Sequence, residues 1–181
     1  MRAAIPIALS AIAASLIGMA MAHATAPATH FANADDPAAV ADGKQIYKLQ
    51  CSSCHGRNLE GQALWQLDDQ YAGRRAPAHD ASGHTWRHSD EDLFQMVKYG
   101  RFPEAPKDAP SYMPAYGDSL TDRQILDVLA FIKARWPTGL RISQAMLNPG
   151  LAGMPKDADR YEWTLPPTCT ASYQRWKTIS R

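Results

Sequence analysis

Cysteine is scarce in this chain: there are three in 181 residues, at positions 51, 54 and 169. Two of them stand three positions apart and the third is distant, so the second ligand pair that a zinc ribbon needs is missing. A disulfide at Cys169 would need a partner chain once the other two are engaged, which leaves this thiol free, masked, or joined to another chain, a lipid or a metal. An excess of one charge is also lacking. Nineteen Lys and Arg against eighteen Asp and Glu give a formal net charge of +1, and removing the N-terminal segment, whose one charge is Arg2, leaves about zero. Nucleic-acid binding therefore has no electrostatic support. There is no internal repeat and no convincing set of acid, base and nucleophile. With 45% hydrophobic and 9% aromatic residues, the composition is that of an ordinary globular protein. The length is one domain with something left over.

What the chain does have is Cys51-Ser52-Ser53-Cys54-His55. Two thiols at this spacing can each form a thioether to one of haem's two neighbouring vinyl groups, and the histidine that follows is placed to become the proximal ligand of the iron. Zinc binding and thioredoxin-like redox chemistry are the other uses of such a cysteine pair. One haem motif is present, so one covalent haem c is expected.

The N-terminus carries an address. Arg2 is followed by an uncharged, alanine-rich run from Ile5 to Ala22, ending in Ala20-Met21-Ala22 and Ala22-His23-Ala24, both of the small-x-small form that signal peptidase accepts. Residues 1–22 read as a signal peptide cut after Ala22 or Ala24. The rival reading is an uncleaved anchor, since the run approaches the length of a membrane span. Haem attachment to Cys-x-x-Cys-His takes place outside the bacterial cytoplasm, so the periplasm is the expected compartment.

Residues 23–35 have no hydrophobic period and read as a flexible lead-in. Asp35 or Asp36 caps a helix with Pro37 in its first turn and Val40, Gly43, Ile46 and Tyr47 on one face, running to about Gln50. Gly43 weakens that helix, which suggests that another backbone comes close there. A glycine-containing loop covers residues 56–75. Ser89 and Asp92 form a capping box for a second helix, with Leu93, Phe94, Met96 and Val97 on its apolar face and Gly100 at its end. The loop over residues 101–119 holds four prolines. Thr121 and Gln124 open a third helix, in which Ile125, Val128, Leu129, Ile132 and Trp136 make one stripe and Pro137 is the stop. Residues 138–181 form an extension whose aromatics, Tyr161, Trp163, Tyr173 and Trp176, favour packing on the domain or on a partner.

A haem iron with a proximal histidine has a sixth position. Met113, in Tyr112-Met113-Pro114-Ala115-Tyr116, is the leading candidate, because a thioether stabilises Fe(II) and suits electron transfer. Core packing is the plain alternative for a methionine. Met96 lies on a helical face and reads as core.

Over about residues 36 to 137 the chain resembles class I cytochromes c. The resemblance rests on Gly43 and Tyr47 ahead of Cys51, on Cys-Ser-Ser-Cys-His-Gly, on Ala76-Pro77, and on Met113-Pro114 before a helix ending in Trp136-Pro137. It implies an all-α, cytochrome c-like helical domain wrapped around one covalently bound haem. It further implies a near-perpendicular crossing of the first and last helices, with Gly43 and Tyr47 against Leu129 and Ile132. It gives Pro77 the role of accepting a hydrogen bond from His55 through its carbonyl.

The segment from His79 to His88 departs from the simplest members of that family. His79, His84 and His88 with Asp80 could bind copper or zinc. Otherwise this is a surface loop beside the haem edge, with Trp86 donating its indole N–H to a propionate, and a Gly-His-x-Trp-x-His stretch in part of the family agrees with that structural role. Arg74 and Arg75 either neutralise the propionates or form a solvated or partner-docking patch.

The functional expectation is single-electron transfer through haem c with His55 and Met113 as axial ligands, by a carrier or by the cytochrome subunit of a redox complex and not by an enzyme in its own right. Its partners would be redox proteins, a membrane oxidase or a dehydrogenase among them. The alternative is a haem enzyme or ligand sensor with an open sixth site. The long extension and Cys169 favour a subunit over a free carrier.

Overall fold

The computed structural model describes residues 30–67, 75–106 and 111–161. Helix α1 spans Pro37–Gln50. It starts where the Asp36 carboxylate accepts from the N–H of Ala38 (3.0 Å) and Ala39 (3.4 Å), with proline in the first turn, where no intrahelical N–H bond is lost. After Cys51 a single turn, α2, covers Ser52–His55. Helix α3 spans Asp90–Tyr99 between the Ser89–Asp92 capping box and the left-handed Gly100. Helix α4 spans Asp122–Ala134 behind the Thr121–Gln124 box. Every regular element among the described residues is helical.

The core is built on α4, whose stripe divides into two faces. Ile125, Leu129 and Ala130 pack with Ala39, Leu93 and Phe94, joining α4 to α1 and α3. Val128, Ile132 and Trp136 pack with Tyr47 and Leu59, joining α4 to the haem-motif side of the molecule. Each such buried aliphatic side chain contributes about 1.5–3 kcal/mol relative to exposure. The α1–α4 crossing is close enough that a Cβ built at Gly43 would overlap the Asp127 carbonyl. The glycine is therefore what lets the two backbones touch.

Two features differ from the sequence expectation. Pro137 does stop α4, but it is also the N-cap of a further helix, α5, over Thr138–Ala145. A proline fixed near φ −65° suits the entry to a helix as well as it blocks the end of one, and Ile142 and Ala145 then face inward. The lead-in expected to be flexible is docked over its described part. The His30 ring stacks on Phe94 at 3.7 Å between centroids, and Ala32 is fully buried.

Both segments converge on a buried ion pair. The Lys133 ammonium donates to both oxygens of Asp90 at 2.7 Å, and each side chain is 1% exposed. Gln144 Nε2 (2.8 Å), Asn148 Nδ2 (3.2 Å) and the N–H of Ala32 (3.0 Å) also donate to the Asp90 carboxylate. Burial pulls the Lys133 ammonium below its ordinary pKa, and the Asp90 charge offsets part of that. Asp35 makes a second junction, pairing with the Arg141 guanidinium and accepting from the N–H of Lys156 at 3.0 Å. Tyr161 packs against Gly139. Residues 138–161 are thereby fastened to the domain. The signal segment over 1–22, Arg74, and Trp163, Cys169, Tyr173 and Trp176 lie outside the described residues.

Candidate haem site

Tyr47, on the inner face of α1, carries the backbone of the cysteine motif. Its hydroxyl donates to the carbonyls of Gly56 (2.8 Å) and His55 (3.2 Å), and burial pushes its pKa up, so it stays a donor. The α2 turn then presents Cys51 half-buried, Cys54 exposed, and His55 buried at 8% exposure. Neither Cys51 nor Cys54 is in a disulfide. In the bare polypeptide burial pushes the Cys51 thiol up to about 11, with the Cys54 charge adding to the effect.

His55 is oriented by a bond between distant parts of the chain. Its Nδ1 lies 2.9 Å from the Pro77 carbonyl, which can only accept, so Nδ1 carries the proton. Nε2 is left with the lone pair. Burial pulls the imidazole below its ordinary pKa and the Pro77 bond opposes this, with a net fall that keeps the ring neutral at pH 7, as a metal ligand must be. Two thiols outside any disulfide and a neutral imidazole with its Nδ1 anchored are the donor set that haem c requires.

Met113 is half-buried in a loop that packs on the end of α3. A Cβ at Gly100 would run into the Met113 carbonyl and the backbone of Pro114 and Ala115, and Gly100 itself has φ 67°. Ser111 donates to the Gly100 carbonyl, Tyr116 N–H to Val97 (3.1 Å) and Gly117 N–H to Lys98 (2.9 Å). The Tyr116 hydroxyl reaches across to the Gln50 carbonyl at 2.7 Å. Tyr116 had no motif to mark it in the sequence.

The three histidines of the 79–88 segment are divided among different surroundings. The His79 ring stacks on His55, with centroids 4.1 Å apart and planes 25° apart, while its Nδ1 is hydrogen-bonded to the Thr85 hydroxyl at 2.7 Å. His84 and His88 contact each other edge to face, and lie beside Trp65 and Phe102 respectively. Among the described residues no group of three His, Cys, Asp or Glu could hold a metal ion. The Trp86 body packs against the Tyr47 cluster, and its indole N–H donates to Gly83 at 3.1 Å; a bond to a propionate would have to replace this one. Arg75 donates to the Ala63 carbonyl at 2.7 Å. The sequence marked His79 for its coordinating chemistry. Its contact with His55 had one available signal, a position two residues after Pro77.

The family model described as Cytochrome c matches residues 40–136, more than half of the chain. Among curated proteins, the chain is similar to a nicotinate dehydrogenase subunit of Pseudomonas putida, 27% identical over 64% of this chain and 10% of that one. It is also similar to the cytochrome bc1 complex cytochrome c subunit of Corynebacterium diphtheriae, at 29% over 55% of this chain and 28% of that one. A third relative is the cbb3-type cytochrome c oxidase subunit FixP of Sinorhizobium medicae, at 25% over 52% and 29%. The chain spans less than a third of the length of each. No solved structure matches it. With a helical fold, a built proximal side and a family match running from within α1 to just past α4, the chain belongs to the cytochrome c family, whose members hold haem c covalently and transfer electrons.

Proposed function

We propose that this chain is a periplasmic electron-transfer protein in which Cys51 and Cys54 hold haem c, His55 is the proximal iron ligand and Met113 the distal one. The observation that carries the reading is the Nδ1 bond from His55 to Pro77, which orients the imidazole and makes it a more basic donor. Haem c bound there supplies a one-electron Fe(III)/Fe(II) couple, and the thioether favours the reduced state. The chain's own residues hold the ligands still, so that little rearranges when the charge on the iron changes. Tyr47 holds the His55 backbone, Pro77 sets the direction of its ring, and Gly100 and Tyr116 hold the Met113 loop.

The protein acts within or beside a larger redox assembly. The three relatives are named as subunits of a dehydrogenase, a bc1 complex and an oxidase, and Leu49 and Tyr112 expose more than two thirds of their surface. Export rests on the N-terminal apolar segment of the sequence. Cell fractionation followed by CO addition to the reduced protein tests the whole reading. A haem-stained periplasmic species whose reduced spectrum CO shifts only slowly supports it. Rapid CO binding would replace it with an enzyme or sensor that has an open sixth site, and a cytoplasmic haem-free protein would end it.

A further inference from the structure

We propose that His79 is a positioning residue for the proximal ligand: its ring, stacked on that of His55, fixes the plane in which the His55 imidazole meets the iron. The inference rests on His55 being the axial ligand. An imidazole that donates Nδ1–H to one carbonyl is fixed in direction but can still pivot about the Nδ1···O line. A contact on the ring face removes that freedom. His79 supplies the contact, with centroids 4.1 Å apart and planes within 25° of parallel.

His79 is itself held from three sides. Its N–H donates to the Leu59 carbonyl at 2.7 Å, its carbonyl accepts from the Trp136 indole at 2.7 Å, and its Nδ1 is bonded to the Thr85 hydroxyl at 2.7 Å. Leu59 is buried and left-handed (φ 73°), a conformation that leucine disfavours, and its carbonyl also takes the N–H of Asp80 at 3.2 Å. Three parts of the chain thus meet on one residue: the loop after the cysteine motif and the end of the α4 stripe hold the His79 backbone, and the Thr85 turn holds its ring. The face of that ring lies on the ligand. Such an arrangement acts on the ligand's orientation, because the groups that touch a ligating imidazole set its ring plane and hence the splitting of the iron's orbitals.

The test uses the full haem-loaded ferric protein, read by electron paramagnetic resonance and by the proton NMR shifts of the haem methyl groups. His79→Ala is expected to redistribute the methyl shifts and move the g values. His79→Phe, which keeps a flat ring in place, is expected to return both toward wild type. Thr85→Val keeps the ring but removes its anchor, and a smaller displacement in the same direction is expected. If His79→Ala fails to take up haem, Thr85→Val decides alone, and an unchanged spectrum there overturns the proposal. So do wild-type spectra in His79→Ala, or a Phe variant that looks like the Ala variant. Failure of the axial assignment would show earlier and differently, as a wild-type protein without a histidine-ligated low-spin iron.

Discussion

The hydroxyl of Tyr116 donates to the carbonyl of Gln50 at 2.7 Å, across 66 positions of sequence. Gln50 is the last residue of α1 and directly precedes Cys51, while Tyr116 lies three residues after Met113. One bond therefore ties the loop carrying the proposed distal ligand to the segment carrying the haem cysteines. Removing it in Tyr116→Phe loosens the loop by about 1 kcal/mol, the net worth of an ordinary hydrogen bond. The methionine-off population then rises about fivefold. Stopped-flow mixing of the reduced protein with CO is expected to show faster binding in the variant by that factor, with the haem still attached.

The Asp90–Lys133 pair is a vulnerable point of the fold because it is buried. Removing Lys133 leaves the Asp90 carboxylate in the interior without its counter-charge, held only by the neutral donors of Gln144, Asn148 and Ala32, at a cost of about 3–5 kcal/mol. Lys133→Met is therefore expected to lose that much stability in chemical denaturation, more than any single aliphatic truncation on the α4 stripe to valine. Truncation after Pro137 removes Gln144 and Asn148 from the same carboxylate and Arg141 from Asp35. The shortened chain is expected to be destabilised rather than merely deprived of a docking surface.

Gly43→Ala tests the helix crossing. A methyl group there meets the Asp127 backbone rather than a movable side chain. The helix itself gains by the exchange, yet the overlap forces α1 and α4 apart, with a net loss of about 3 kcal/mol. Thermal unfolding of the haem-loaded protein checks the sign, and an unchanged or raised midpoint would show that the crossing can open without cost.

Acid sensitivity follows from two carboxylates that fasten the peripheral segments. Burial alone would raise the Asp35 carboxyl, but the Arg141 hydrogen bond, the Lys156 N–H and the neighbouring charges hold it below its ordinary value. Glu91 is lowered in the same way, against its own burial, by Gln95 and His30. A depressed folded pKa contributes stability that is complete above the unfolded value and is lost as pH falls through the folded one. Wild-type stability should therefore decline as pH drops below about 4. Asp35→Asn should be less stable at neutral pH and show a shallower decline, measured as urea midpoints across that range.

The haem motif, the three long helices and their caps were legible in the sequence because each depends on local chemistry: side-chain oxygens at N-caps, a 3.6-residue stripe, and two thiols at vinyl spacing. The Gly43 contact was legible too, since a glycine inside a helix asks for a reason. Helix α5 was hidden because Pro137 ends one helix and begins another, and its stop signal is the more familiar one. The buried pair was hidden for a different reason. Asp90 follows a capping serine and Lys133 follows Ile132, positions where charges normally face water, and nothing local says that 43 residues of chain bring them together. His79 was hidden in part: its coordinating chemistry can be read from its identity, but its contact with His55 was signalled only by its position two residues after Pro77.

The most direct test is the spectrum of the ferric protein beside that of Met113→Ala. His/Met coordination requires a weak methionine–iron charge-transfer band in the ferric wild type, its loss in the variant, and, after reduction, CO binding that is slow in the wild type and immediate in the variant. A variant with the same band as wild type, or a wild-type protein that lacks the band and takes up CO at once, would show that Met113 is not the iron's sixth ligand.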